Sequence, residues 1–366
     1  MSNKYKFLDI FCGCGGMSLG FQDAGFDFIM GVDNDTSSLN TLKYNFPQVH
    51  ALNVDLFKKE SIFEIQKKFG EKQMDIFNND SKSKPDVIIG GPPCQGLSLT
   101  GPRKFDDPRN RLYLAFIELI KIFHPLAFVI ENVPGMKNLY SGRVFNEIKR
   151  RFDELDYNFE AEILNSADFG VPQTRTRLFI VGLRKELDYF EFPEPILKPE
   201  KYVSCMDAIS DLPARKPEDG IGNDQDKYDK PACTAYQKIM RGNNNILWNH
   251  VGTNHKDFVI DTIRQVPDGG NWRDLAPGVG ESRKFNEAWT RYNSKKPSRT
   301  IDTGHRNHFH YKYNRVPTNR ENARLQSFPD SFRLTGNKSQ QNRQVGNAVP
   351  PKLAKVLAEQ LKTYLK

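Results

Sequence analysis

No stretch of this 366-residue chain approaches the ~20 consecutive apolar residues that a membrane-spanning helix needs, so no spanning helix is expected. From Met1 the chain runs straight into the apolar residues 7–11, without the hydrophobic core and cleavage site of a signal peptide. A cytoplasmic location with no membrane partner is expected. Cysteine is scarce: Cys12, Cys14, Cys94, Cys205 and Cys233 are odd in number and irregular in spacing. That is no disulfide framework and suits a reducing compartment. Cys12 and Cys14 lack a second pair at zinc-ribbon spacing and sit inside a glycine-rich turn, so no metal is expected. Internal repeats and low-complexity tails are also lacking.

What the chain does have is an uneven charge. Residues 1–233 are slightly acidic, whereas residues 234–344 carry 19 Lys and Arg against 9 Asp and Glu. A basic region of this kind reads as the footprint of a polyanion, and the Arg, His, Asn, Trp and Tyr between Trp272 and Arg315 favour a nucleic acid.

Apolar runs of strand length at residues 6–11, 28–32, 87–89, 127–130 and 178–181 alternate with helical periodicity, for example over 109–123 and 144–155. That alternation predicts βαβ units and an open, mostly parallel sheet in an α/β fold, with ligands beyond the carboxyl ends of the strands. After Arg184 the periodicity weakens, and Pro, Asp, Asn and Gly crowd residues 193–229. Residues 185–296 therefore read as a second, irregular domain. Periodicity resumes over 351–364 as a closing helix with Pro351 at its start.

Three stretches describe a nucleoside-shaped site. Asp9-Ile10-Phe11-Cys12-Gly13-Cys14-Gly15-Gly16 follows a strand and precedes a helical stretch, where glycines permit a tight turn and close approach of a ligand. Gly13 and Gly15 match the first two positions of G-x-G-x-x-G, but Ser18 stands at the third, which weakens a dinucleotide reading. Asp33, ending the next strand, is placed to bond both hydroxyls of a ribose. The alternative for this acidic stretch is a helix N-cap, which Asp35 or Thr36 could fill. Asp55, expected at the end of the third strand, could accept a bond from an adenine amino group.

Gly90-Gly91-Pro92-Pro93-Cys94-Gln95-Gly96 follows another apolar strand. Its two prolines stiffen the backbone, and the cysteine opens a polar, glycine-rich loop, the setting of a nucleophilic thiolate rather than a packing residue.

Residues 91–98 resemble the catalytic loop of the DNA cytosine-C5 methyltransferase family, and the family's other motifs follow in its usual order. These are Glu131-Asn132-Val133, Gln173-Thr174-Arg175-Thr176-Arg177, Arg299-Thr300-Ile301 and Gln344-Val345-Gly346-Asn347-Ala348-Val349-Pro350. The resemblance implies a Rossmann-like S-adenosylmethionine-dependent methyltransferase fold with a smaller irregular target-recognition domain. It divides the chain into a catalytic domain at 1–184, a recognition domain at 185–324 with a closing motif near 297–303, and a returning segment at 325–366. Cys94 is then the nucleophile that adds to cytosine C6. Glu131 contacts N3 and the exocyclic amino group, Arg177 holds O2, and Arg175 orders the site. Phe11 stacks on adenine, Asp33 takes the ribose and Asn34 lies beside the adenine. Gly13, Gly15, Gly16, Asp55, Pro93, Asn347 and Val349 complete the cofactor contacts. Gln95, Ser98, Thr100, Arg103 and Arg299 are expected on DNA, and the loop 96–107 is a candidate lid.

The resemblance also implies S-adenosylmethionine as co-substrate and duplex DNA as partner. The resemblance is to the bacterial or phage restriction–modification type, acting as a monomer. A cognate restriction endonuclease would act on the same site without a stable complex. Two departures stand out: Asp33 replaces the glutamate of many relatives, and Thr100 a serine. Rival readings are a tRNA cytosine-C5 methyltransferase of the same motif order, a catalytically dead DNA-binding regulator, and an NAD-linked oxidoreductase. Trp248, Trp272, Arg273, Trp289 and Arg291 are candidates for the reading surface or for the core. His305, His308 and His310 read as a DNA-facing or structural strand rather than a metal site.

Overall fold

Continuous Val, Ile, Leu and Phe runs bury both faces of a strand, the pattern expected where helices cover both sides of a parallel sheet. In the computed structural model, which describes residues 5–77, 84–93, 111–138, 142–216, 221–279, 289–304 and 307–366, those runs become β1 (Lys6–Ile10), β2 (Asp27–Asp33), β3 (His50–Asn53), β4 (Val87–Gly90) and β5 (Ala127–Asn132). Two further strands of the same sheet are β6 (Tyr157–Asn165) and β8 (Thr176–Arg184); the short β7 (Gln173–Thr174) lies outside it. The sheet order is β3-β2-β1-β4-β5-β8-β6. β1 to β5 pair in parallel, whereas β8 runs antiparallel to both β5 and β6. Crossover helices are α1 (Gly16–Asp23), α2 (Thr36–Asn45), α3 (Glu60–Phe77), α4 (Arg111–Phe123) and α5 (Arg143–Asp153).

The chain forms two compact units. The first holds residues 1–165, 176–194 and 353–366. Its core gathers Leu8, Ile10, Val32, Ile88, Phe116, Phe128 and Ile130, with Phe128 stacked on Phe152 at a centroid distance of 4.2 Å. The helix Pro351–Lys362 contributes Leu353, Ala354, Leu357, Ala358 and Leu361, all fully buried at three- and four-residue spacing. Full burial of a leucine is worth roughly 1.5–3 kcal/mol. Lys362 closes this unit by bonding the carbonyl of Ala24 at 3.0 Å, and Tyr5 bonds the carbonyl of Leu365.

The second unit holds residues 166–175 and 195–352 and is built differently. One apolar cluster here is small, with Ile263, Val266, Phe309 and Val316 at its centre. Much of the interior is ionic instead. All seven residues of the helix Asn319–Leu325 are buried, and Arg315, Arg320 and Arg324 are fully buried. Arg315 grips both oxygens of Glu321 at 2.8 and 2.7 Å, while Arg324 bonds both Asp211 and Asp330. Thr318 caps this helix in a reciprocal box with Glu321.

Two neutral histidines complete this interior. His250 contacts the Thr318 hydroxyl at 2.9 Å and the Pro213 carbonyl at 2.8 Å. His310 accepts the backbone N–H of Lys312 and Tyr313 on Nδ1. Burial pushes His250 down to about 4 and His310 down to about 3, with Glu321 opposing that shift and Arg315 reinforcing it. Their folded values lie below the unfolded ~6.5, so the folded state binds fewer protons than the unfolded one. Stability is therefore full above that value and drains away as pH falls toward the folded values. By pH 5 each histidine should remove about 2 kcal/mol. Urea unfolding at pH 7.5 and pH 5 should show that drop, and His250→Asn should reduce the slope. A midpoint unchanged between the two pH values in the parent protein contradicts neutral burial.

Candidate functional site

The first strand stops at Ile10 because the backbone then turns left-handed. Phe11 has φ 65°, Gly13 54° and Gly15 93°. At Gly15 a side chain is excluded twice, by its φ and because a Cβ would sit 2.7 Å from Leu42 and 2.8 Å from Phe46. In front of Gly13 the space is open, with nothing within 4 Å of where a Cβ would lie. Asp33 at the end of β2 fixes this turn, accepting the N–H of Gly13 on one oxygen and that of Asp35 on the other, both at 2.8 Å. Burial raises its carboxyl above the ordinary value. Each oxygen keeps acceptor capacity beyond those amides. An open turn beside an anchored carboxylate fits the nucleoside end of S-adenosylmethionine.

The residue at the broken glycine position has its own partner. The Ser18 hydroxyl bonds Oδ2 of Asp9, a buried carboxyl pushed up to about 8 by desolvation. The pairing explains a serine where the dinucleotide pattern has glycine. Asn34 is exposed, and Gly16 opens α1. Asp35, one of the two N-cap candidates, caps α2 by accepting from Ser37. Asp55 lies two residues beyond the end of β3 rather than within it, and accepts from the N–H of Phe57 at 3.0 Å. Cys12 and Cys14 are buried, and desolvation pushes the Cys12 thiol well up and the Cys14 thiol to about 12. Neither is a thiolate at neutral pH.

A second cluster forms at the carboxyl ends of β4 and β5. Because β8 is antiparallel to β5, its start lies beside the end of β5, with Asn132 paired to Leu178. Arg177 thereby reaches Glu131, Nε to Oε1, at 3.0 Å, with 17% and 12% of the two side chains exposed. Asn132 donates to the carbonyl of Pro92 at 3.1 Å and accepts the N–H of Val133 at 2.8 Å. Glu131, Arg177 and the proline pair are thus gathered at one edge, with Pro93 exposed. Cys94, Gln95, Ser98, Thr100, Arg103 and the loop 96–107 lie outside the described residues.

The Gln-x-Arg-x-Arg segment is divided between the two units, Gln173 and Arg175 falling in the second. There β7 pairs in parallel with Ser298–Arg299. Arg175 is 2% exposed and donates to the carbonyl of Ile301. Thr174 bonds Ser298, and Thr300 bonds Thr174 in return, both at 3.1 Å. Arg299 and Asn347 are exposed, whereas Val349 is buried.

Two surface candidates prove structural. Arg291 is 5% exposed and spends its guanidinium on the carbonyls of Val266, Ile263 and His310, and Trp289 packs on the small apolar cluster. Trp248 is half-buried under Arg333, 3.9 Å from the ring centre. Arg273 is exposed, with its guanidinium 5.5 Å from the half-buried Trp272 ring. His308 and His310 belong to a buried segment, and His305 lies outside the described residues. The stretch from Thr318 to Gln326, central to the second unit, escaped the motif reading. Its one sequence signal was the Thr-x-x-Glu spacing of a capping box.

The C-5 cytosine-specific DNA methylase family model matches residues 5–363. The chain is 37% identical over 360 residues to the type II methyltransferase M1.HphI of Haemophilus parahaemolyticus, covering 96% of this chain and 85% of that protein. It is 33% identical to M.DdeI of Desulfomicrobium norvegicum, over 98% and 89% of the two chains. A crystal structure described as a DNA modification methyltransferase encoded within an E. coli prophage superimposes with TM-score 0.78 at 28% identity, covering 99% of each chain. Spodoptera frugiperda DNMT2, at TM-score 0.59 and 18% identity over 99% of this chain and 100% of that one, shares the fold.

Proposed function

Because the chain belongs to the C-5 cytosine-specific DNA methylase family, we propose that it methylates carbon 5 of one cytosine within a specific duplex DNA sequence through a covalent adduct at Cys94. Members of this family use S-adenosylmethionine as methyl donor. The observation that carries the reading is the Glu131–Arg177 pair set beside Pro92. Carbon 5 of cytosine is too poor a nucleophile to take a methyl group unaided. The Cys94 thiolate adds to C6, and electron density moves to C5. Glu131 bonds the N3 edge and Arg177 holds O2, so charge that develops on the ring meets prearranged partners. When bound, S-adenosylmethionine supplies an activated methyl group for C5. A base then takes the C5 proton, the C6–S bond breaks and the thiolate is restored. C6 is inaccessible in a stacked duplex, so the nucleotide is flipped out at a cost of a few kcal/mol.

Phe11, Gly13, Gly15, Gly16, Asp33, Asn34, Asp55, Pro93, Asn347 and Val349 are the proposed cofactor ligands, supported by the open turn at Gly13 and the anchored Asp33. Sequence recognition is assigned to residues 185–296, since the chemical motifs lie outside that stretch. The names of the relatives support a modification enzyme whose methylation blocks a separate type II endonuclease at the same site. Methyl transfer from labelled S-adenosylmethionine to duplex DNA but not to tRNA is expected. Bisulfite mapping should return a single short motif, and grafting a relative's 185–296 segment should change it. Label appearing in tRNA alone contradicts the assignment.

A further inference from the structure

Two fully buried glutamines lie end to end in the second unit. Gln173 accepts the backbone N–H of Ile301 on Oε1 at 3.0 Å. Its amide nitrogen donates to the Leu325 carbonyl at 3.3 Å and to Oε1 of Gln326 at 2.7 Å. The Gln326 nitrogen in turn donates to the carbonyls of Val345 at 2.7 Å and Ala348 at 3.1 Å. Both side-chain oxygens and all four N–H donors are used. The orientation of the pair is fixed from one end, because a backbone N–H can face only the oxygen of Gln173. Turning either amide over would set donor against donor and strand two carbonyls among fully buried side chains. Gln326 belongs to none of the motifs read from the sequence, yet it grips the backbone on both sides of Asn347.

We propose that Gln326 is a positioning residue for the cofactor: held in one orientation by Gln173, its amide fixes the last turn of the helix Lys338–Asn347 and its cap Ala348, and so presents Asn347 and Val349 to S-adenosylmethionine. The inference rests on the reading that Asn347 and Val349 are cofactor ligands. It adds a residue that touches no ligand, and ties the turn to the Gln173–Arg175 segment through two amides.

The test uses the full chain, with S-adenosylmethionine as calorimetric titrant. Gln326→Leu keeps most of the volume and removes the donors, and its dissociation constant should rise about tenfold. Affinity for duplex DNA should not move, and kcat at saturating cofactor should change far less than KM. Gln326→Glu gives a readout that simple packing would not produce. As a neutral acid it still donates one bond, and on ionising it donates none, so its cofactor affinity should weaken from pH 6 to pH 9 relative to the parent protein. A folded Gln326→Leu that binds S-adenosylmethionine within twofold of the parent overturns the proposal. If that variant does not fold, a Gln326→Glu whose affinity tracks the parent at every pH does the same. Asn347→Ala separates the two levels. Weakened binding there with unchanged Gln326→Leu defeats the positioning role alone, whereas unchanged binding in Asn347→Ala defeats the ligand reading and this inference with it.

Discussion

Cys94→Ser should lose methyl transfer to duplex DNA by a factor on the order of 10⁴ or more, the scale seen when a covalent nucleophile is removed. A serine hydroxyl is almost wholly un-ionised at neutral pH, and addition to C6 needs an anionic, polarisable nucleophile. No other described cysteine is fit to substitute in the same loop. Cys12, Cys14 and Cys205 are buried with their thiols pushed up, and Cys233 lies in the second unit, on the surface. The variant should still bind S-adenosylmethionine and DNA, because the turn at Gly13 is anchored by Asp33 and the residues proposed on DNA are others. Transfer rates measured with labelled cofactor on the mapped duplex decide it. Activity above about one per cent of the parent, which no nucleophile-deletion argument permits, removes Cys94 from the mechanism.

The second large effect concerns stability. Glu321→Ala removes the carboxylate that neutralises the fully buried Arg315 and also takes away one half of the helix cap at Thr318. Leaving one member of a buried pair uncompensated costs about 3–5 kcal/mol, against a total folding stability of roughly 5–15 kcal/mol. Urea unfolding should show a loss of that size, accompanied by reduced soluble yield. Arg315→Met combined with Glu321→Leu should recover most of it, because the penalty comes from stranding a charge and not from lacking a pair. A Glu321→Ala protein within 1 kcal/mol of the parent would mean that solvent reaches Arg315.

These two effects sit at opposite ends of what a sequence can disclose. β1, β2, β4 and β5 were readable because strands covered on both faces become unbroken apolar runs. β6 was not, since it is an edge strand in which Asn158, Glu160 and Glu162 break the apolar run. The direction of β8 was equally hidden: it is buried through most of its length, so it reads as the same unbroken apolar run as its parallel neighbours although it pairs antiparallel. Yet that direction is what brings Arg177 to Glu131. The chemical motifs were legible as residue types in order, whereas the anchoring of the glycine turn by the acidic end of β2 was not, since it depends on β1 and β2 lying side by side. Asp55 was placed too near the strand end because the apolar Val54 prolongs the pattern beyond Asn53. The interior of the second unit was the least legible. Arg291, Arg315, Arg320 and Arg324 look in sequence like a surface for polyanions, and only tertiary pairing turns them inward. Part of the basic excess read as a nucleic-acid footprint is therefore spent on holding the fold.

The covalent step is open to a direct measurement. In a duplex that contains the mapped site with 5-fluorocytosine at the target position, the C5 substituent cannot leave as a proton, so elimination is blocked after methyl transfer. Incubation with the protein and S-adenosylmethionine should give a protein–DNA adduct that survives denaturing electrophoresis. Peptide mass spectrometry should place the DNA on Cys94, with one added methyl group on the fluorinated ring. The adduct should be absent without S-adenosylmethionine and absent with Cys94→Ser, and should persist with folded Cys12→Ser or Cys205→Ser. An adduct formed by Cys94→Ser, or mapped to any residue other than Cys94, contradicts the account.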